Sequence, residues 1–289
     1  MPFWLSISIL GLVQATFVAL PVPRPRPAWV ERLRGPWWAV IPALSIVVVL
    51  GAIEASPSSA DALTYIALVG VPPLAAYALA ALVRRDRLNP PYTRFETVSR
   101  RGGADWFASV AVTAALFALA WVSPHSLTGE AAAMALSGLA CVTLGWLLVC
   151  GVPAQWLRLG VYAMAVIDAI YVTADLLQEP NAVLSAAAPA AGLPQLQVVH
   201  FGSAVMGFGD LFVAALVGCL MAAEGAGPAR DREGEANLQA LTAVLVAVLA
   251  LTFDLLFFAV HELPATVPVA LALALVQWRK RLVRERALA

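Results

Sequence analysis

Every lysine and arginine of this chain, 18 in all, falls in alternate connections between apolar runs. Nine such runs occupy about 3–20, 37–53, 63–83, 105–122, 131–151, 156–177, 198–223, 238–260 and 264–278. Most are about as long as the ~20 apolar residues that carry a helix across a bilayer. The first connection carries Arg24, Arg26, Arg32 and Arg34, and the third carries Arg84, Arg85, Arg87, Arg94, Arg100 and Arg101. Arg158 marks the fifth, Arg230 and Arg232 the seventh, and Arg279, Lys280, Arg281, Arg284 and Arg286 the C-terminal segment. The N-terminus and connections two, four, six and eight have none. Because short cytoplasmic loops retain Lys and Arg, this one-sided split predicts nine transmembrane helices, with the N-terminus outside and the C-terminus in the cytoplasm.

The expected fold class is therefore an all-α polytopic membrane protein. Only 12% of residues are charged, half the share of an ordinary soluble domain, about 25%. A single membrane domain is expected, with a five-helix part over 1–151, a four-helix part over 156–278 and a basic tail over 279–289. The run at 3–20 has no basic residue before it, the wrong charge order for a cleaved signal, so it reads as a retained span. Cys141, Cys150 and Cys219 lie in or at the ends of apolar runs without ligand spacing, and read as small buried apolar groups. No metal, no cofactor and no nucleic-acid partner is implied; the tryptophans, Trp37, Trp106, Trp156 and Trp278 among them, suit membrane interfaces.

Acids inside apolar runs carry the chemistry, since an ionisable group at that depth costs a few kcal/mol and marks a functional hypothesis. Asp168 lies in the sixth run, nine residues from its outer end, and Asp210 in the seventh, twelve residues from its start. At 1.5 Å per residue these depths are ~14 Å and ~18 Å, close enough to place the carboxyls side by side. Two carboxyls held together share a proton, so one can activate water while the other protonates a carbonyl or leaving amine. Interhelical hydrogen bonding, or a proton or cation site in a transporter, also uses such acids.

Gly207 and Gly209 strip side chains from the residues just before Asp210, where a substrate backbone or a second helix can then approach. Pro264 and Pro268 open the ninth run in Glu262-Leu263-Pro264-Ala265-Thr266-Val267-Pro268. Proline lacks an amide N–H, so this segment reads either as a helix start or as unpaired backbone able to bind an extended peptide.

Together, Asp168 in run six, Gly207-Phe208-Gly209-Asp210 in run seven and Pro264-Ala265-Thr266 at run nine resemble the presenilin and signal peptide peptidase family of intramembrane aspartyl proteases. That family has nine spans, Tyr-Asp in the sixth, Gly-x-Gly-Asp in the seventh and Pro-Ala-Leu at the ninth. The resemblance covers roughly residues 160 to 278. It implies catalysis by Asp168 and Asp210. Gly207, Phe208, Gly209, Pro264, Ala265 and Thr266 would contact a membrane-embedded peptide substrate. Ile167 stands where the family has tyrosine, and Thr266 where it has leucine. The inferred orientation is that of signal peptide peptidases. Prepilin peptidases share Gly-x-Gly-Asp, but a lysine usually stands two residues after their aspartate, and here that residue is Phe212.

Other polar residues fit less specific roles. Asp175 shares a helical face with Asp168 two turns outward, and Asp254 in run eight reads as a packing acid near the site. His200 and His261-Glu262 read as interfacial, and 178–197 as an outer linker. Asp168, Asp210 and Asp254 together sustain the alternative of a proton- or cation-coupled transporter or channel.

Overall fold

In the computed structural model the described residues are 1–22, 58–87, 98–174, 186–187, 189, 192–224, 232–256 and 264–288. Eight helices and one hairpin fill them. The helices are α1 (Phe3–Ala19), α2 (Ser58–Arg87), α3 (Val98–Val122), α4 (Leu127–Gly151) and α5 (Ala154–Thr173), then α6 (Phe208–Glu224), α7 (Arg232–Leu256) and α8 (Thr266–Leu288). Between α5 and α6 lie β1 (Val198–Phe201) and β2 (Ala204–Gly207). The stretches Asp61–Val83, Gly103–Val122, Leu127–Gly151, Ala154–Thr173 and Leu238–Leu255 are long and apolar enough to cross a bilayer. Their outer faces expose Ile66, Val69, Phe107, Val166 and Ile170. So many large apolar side chains on a surface suit lipid rather than water. This is a polytopic, mostly helical membrane protein.

Eight helices, not the nine expected, occur among the described residues, and the second expected run, 37–53, lies outside them. A second correction concerns the seventh run. Its first ten residues form an antiparallel hairpin with Val198 opposite Gly207 and Phe201 opposite Ala204, so the fold is not purely α. The local chemistry explains this. Val198, Val199, His200 and Phe201 are β-branched or aromatic and favour a pleated backbone. Gly202, at φ +61°, begins a two-residue turn with Ser203, where glycine adopts the left-handed backbone at no steric cost. A continuous apolar run does not by itself distinguish strand from helix.

The hairpin's turn is tied to two helices. The Gly202 N–H donates to Glu130 Oε2 at 2.7 Å, and the Ser203 N–H donates to Ser6 Oγ at 3.2 Å. Just before β1, Ser137 Oγ donates to the Leu196 carbonyl at 3.0 Å. β1 packs on α4 and β2 on α1, so the hairpin is wedged between two helices.

The core is built around α6, whose residues Val213 to Ala222 are all buried; a helix apolar on every side belongs inside. It packs against α4, α1, α7, α8 and, more lightly, α5. Small residues let these helices approach, since lipid offers apolar side chains no driving force of its own. A Cβ on Gly138 of α4 would sit 1.8 Å from the Phe17 ring of α1. One on Gly218 of α6 would fall 2.5 Å from the Val18 carbonyl. The three cysteines are buried, and none is joined in a disulfide among the described residues.

Candidate functional site

Three elements converge on the candidate site: the last turns of α5, the junction of β2 with α6, and the start of α8. Asp168 lies five residues before the end of α5. Its neighbour Ile167 is 47% exposed and faces outward, so the position held by tyrosine in the family that the sequence resembles points away from the bundle here. Asp168 itself is half-buried and turned towards α8. Its Oδ2 accepts two hydrogen bonds from Thr266, at 2.6 Å from the hydroxyl and 3.1 Å from the backbone N–H. Thr266 is the first residue of α8, where amide groups have no intrahelical acceptor, and Asp168 supplies one from another helix.

Asp210 is the third residue of α6 and not, as the sequence suggested, near the middle of a long helix. Its Oδ2 accepts from the Gly207 N–H at 3.1 Å. This is the reciprocal half of a capping box, in which an acid in the first turn reaches back to the residue that opens the helix. An acid there also meets the positive end of the helix dipole. Capping alone would account for Asp210; its neighbour adds something more. Asp168 and Asp210 are close enough for their charges to act on one another. One acid lies in the last turns of its helix and the other in the first turn of its own.

The flanking residues divide by role. A Cβ on Gly207 would press to 3.3 Å from Asp210 Oδ2, whereas one on Gly209 would meet no atom within 4 Å. Gly209 thus leaves open space beside the acid. Phe208 is half-buried against the core. Pro264 and Ala265 form a turn leading into α8, where the Val267 N–H donates to the Pro264 carbonyl at 3.1 Å. Pro268 falls in the first helical turn, where its missing N–H costs nothing. The helix-start reading is the one this segment adopts. The extended, strand-pairing backbone considered for 264–268 lies instead at Val198–Gly207.

Two functional contacts escaped the sequence reading. Thr266 is a departure from the resembled motif, yet its hydroxyl makes the shortest bond to Asp168. Gln14, on α1, donates from Nε2 to the Ala265 carbonyl at 3.2 Å; a lone glutamine in an apolar run was the signal available. Asp254 is 8% exposed and faces α1 near Gly11, with its Oδ2 buried and without a hydrogen-bond partner among the described residues. It borders α1, not the Asp168–Thr266 contact. His200 is half-buried on β1 opposite Val205. Asp175 and His261-Glu262 lie outside the described residues, as does most of 178–197.

At the opposite end of the same three helices, Glu224, the last residue of α6, accepts from Arg158 of α5 and from Lys280 of α8, the latter at 2.6 Å. One turn away, Tyr162 donates to Gln277 at 3.3 Å. Burial pushes the Glu224 carboxyl up, but the hydrogen bonds and charges of Lys280 and Arg158 outweigh it and hold the group below the ordinary glutamate range. Among the described residues no group of three or more His, Cys, Asp or Glu could hold a metal ion. Compared with known proteins, the chain matches no family model, no curated protein and no solved structure.

Proposed function

We propose that this protein is an intramembrane aspartyl endopeptidase of the presenilin and signal peptide peptidase type, with Asp168 and Asp210 as its catalytic pair. The observation that carries the reading is that Asp168 is hydrogen-bonded to the proline-led start of α8 and lies within electrostatic reach of Asp210. The Oδ2 atom of each acid is engaged by donors from the protein, by Thr266 in one case and Gly207 in the other. That fixes both carboxyl groups and leaves each Oδ1 for the reacting peptide. A shared proton lets the pair activate water and protonate the carbonyl or leaving amine, so base and acid belong to the dyad and not to either residue. The open face at Gly209 gives the scissile segment room. The extended backbone that leads into Gly207 offers an edge on which an unwound substrate can pair by strand addition.

On this reading the chain has nine spans, an outer N-terminus and a cytoplasmic C-terminus, following its basic residues. The substrate is a membrane-spanning or signal-peptide segment, and no cofactor takes part. The test is cleavage of a helical membrane peptide by the protein in liposomes, read by mass spectrometry. Wild type should cut, and Asp168→Asn and Asp210→Asn should each stop cutting. Asp254, buried with an unpartnered oxygen, favours a second reading as a proton- or cation-coupled transporter. Ion-driven uptake that survives Asp210→Asn, with no peptide cut by wild type, would select that alternative.

A further inference from the structure

The helix most distant in sequence from the candidate site reaches it through one side chain. Gln14 is 2% exposed and sits on the α1 stripe formed with Ser6, Leu10 and Val18, all buried. α1 also packs on α7, α6, α4 and β2. The Gln14 carboxamide extends past these to the Ala265 carbonyl, 251 residues away in sequence. A buried amide in an apolar helix is costly unless it is bonded, so a glutamine at this position calls for a partner, and the partner is the turn that presents Thr266.

The arrangement forms a chain of contacts: Gln14 holds the Ala265 carbonyl, and the next peptide unit delivers the Thr266 N–H and hydroxyl to Asp168 Oδ2. The turn at Pro264-Ala265 has few bonds of its own, because proline donates none and the first amides of a helix lack intrahelical acceptors. It is therefore gripped from two sides, by α1 at Ala265 and by α5 at Thr266. We propose that Gln14 is a positioning residue that fixes the Pro264-Ala265-Thr266 turn and through it the orientation of Asp168. This inference rests on the protease reading only for its effect on turnover; the mechanical claim stands separately.

The experiment uses full-length protein in lipid nanodiscs, with hydrogen exchange by mass spectrometry over peptides covering 264–270 alongside peptide cleavage. Gln14→Met keeps the volume and removes the donor. Gln14→Asn keeps the amide but leaves it one carbon short, so it stands in should Gln14→Met fail to fold. Either variant should speed exchange at Thr266 severalfold while the rest of α8 exchanges as in wild type. kcat should fall by about three- to tenfold, the range expected from one lost hydrogen bond, with KM unchanged. The loss caused by Thr266→Val should largely disappear when Gln14 is already changed, because both act on one contact. Unchanged exchange at Thr266, or kcat losses that simply multiply in the double variant, overturns the inference. If wild-type protein cuts no peptide, the protease reading falls, and the exchange result still decides the role of Gln14.

Discussion

The three helices that meet at the candidate site are joined at both ends, by opposite kinds of chemistry. At the acid end, α5, α6 and α8 bring together two carboxyls, whose charges repel, and satisfy them with neutral donors: the Gly207 and Thr266 amides and the Thr266 hydroxyl. At the basic end, the same helices meet through one carboxylate between two cations, Arg158–Glu224–Lys280. The basic end is balanced to hold. The acid end caps two helix starts, α6 through Asp210 and α8 through Asp168, and in doing so brings two like charges within reach of one another. On the protease reading proposed above, that contrast separates a structural tie from a catalytic site, since perturbing arrangements of titratable groups concentrate where function is.

The largest expected effect breaks the acid end. Asp168→Asn and Asp210→Asn should each reduce peptide cleavage by more than ~100-fold, as expected when a group that must exchange protons cannot. Thermal unfolding in detergent should stay near wild type, because Asn can still accept the Thr266 or Gly207 hydrogen bond. A smaller loss follows at the same end from Thr266→Val. Removing the hydroxyl donor while keeping shape and amide should lower kcat about tenfold, consistent with a hydrogen bond to a charged group at ~1.5 kcal/mol or more. Thr266→Ser should restore most of it.

Changes at the basic end should act on stability and spare turnover. Glu224→Gln leaves Arg158 and Lys280 facing each other without their counterion, and should cost about 1–3 kcal/mol in reversible unfolding in micelles. The pH dependence has a defined sign. Glu224 is held below its ordinary pKa in the folded protein, so its contribution is complete above the normal glutamate range. It is lost as pH falls through the folded value. The stability gap between wild type and Glu224→Gln should therefore be constant near neutrality and close on acidification. The smallest effect belongs to Arg158→Ala or Lys280→Ala alone. With side chains 32% and 24% exposed, each should cost about 0.5–1 kcal/mol and less in high salt. Cleavage lost in Glu224→Gln but kept in Asp168→Asn would reverse the assignment of the two ends.

Much of the helical layout could be read in the sequence because a bilayer imposes it: apolar length sets a span and stray acids stand out. Asp168, Asp210 and the Pro264 helix start were visible for that reason. The hairpin was not, because Val198–Ala223 reads as one mostly apolar run, and apolarity alone does not distinguish strand from helix. Nor was the contact of Thr266, because a residue that departs from the resembled motif looks like a loss until its hydroxyl is placed 2.6 Å from Asp168. The tie at Glu224 was not legible either, since nothing local announces that Arg158 of α5 and Lys280 of α8 will both reach it.

Taken alone, the amino-acid order determined that this chain is a bundle of apolar helices with acids inside it, because the cost of polar groups in hydrocarbon is paid residue by residue. Only the tertiary structure decided which partners those acids take, which end of each helix they occupy, and that α1 reaches the start of α8 through Gln14. Contacts between residues 98 or 251 positions apart depend on how helices pack, and packing in lipid follows small residues and shape, which no single stretch of sequence encodes.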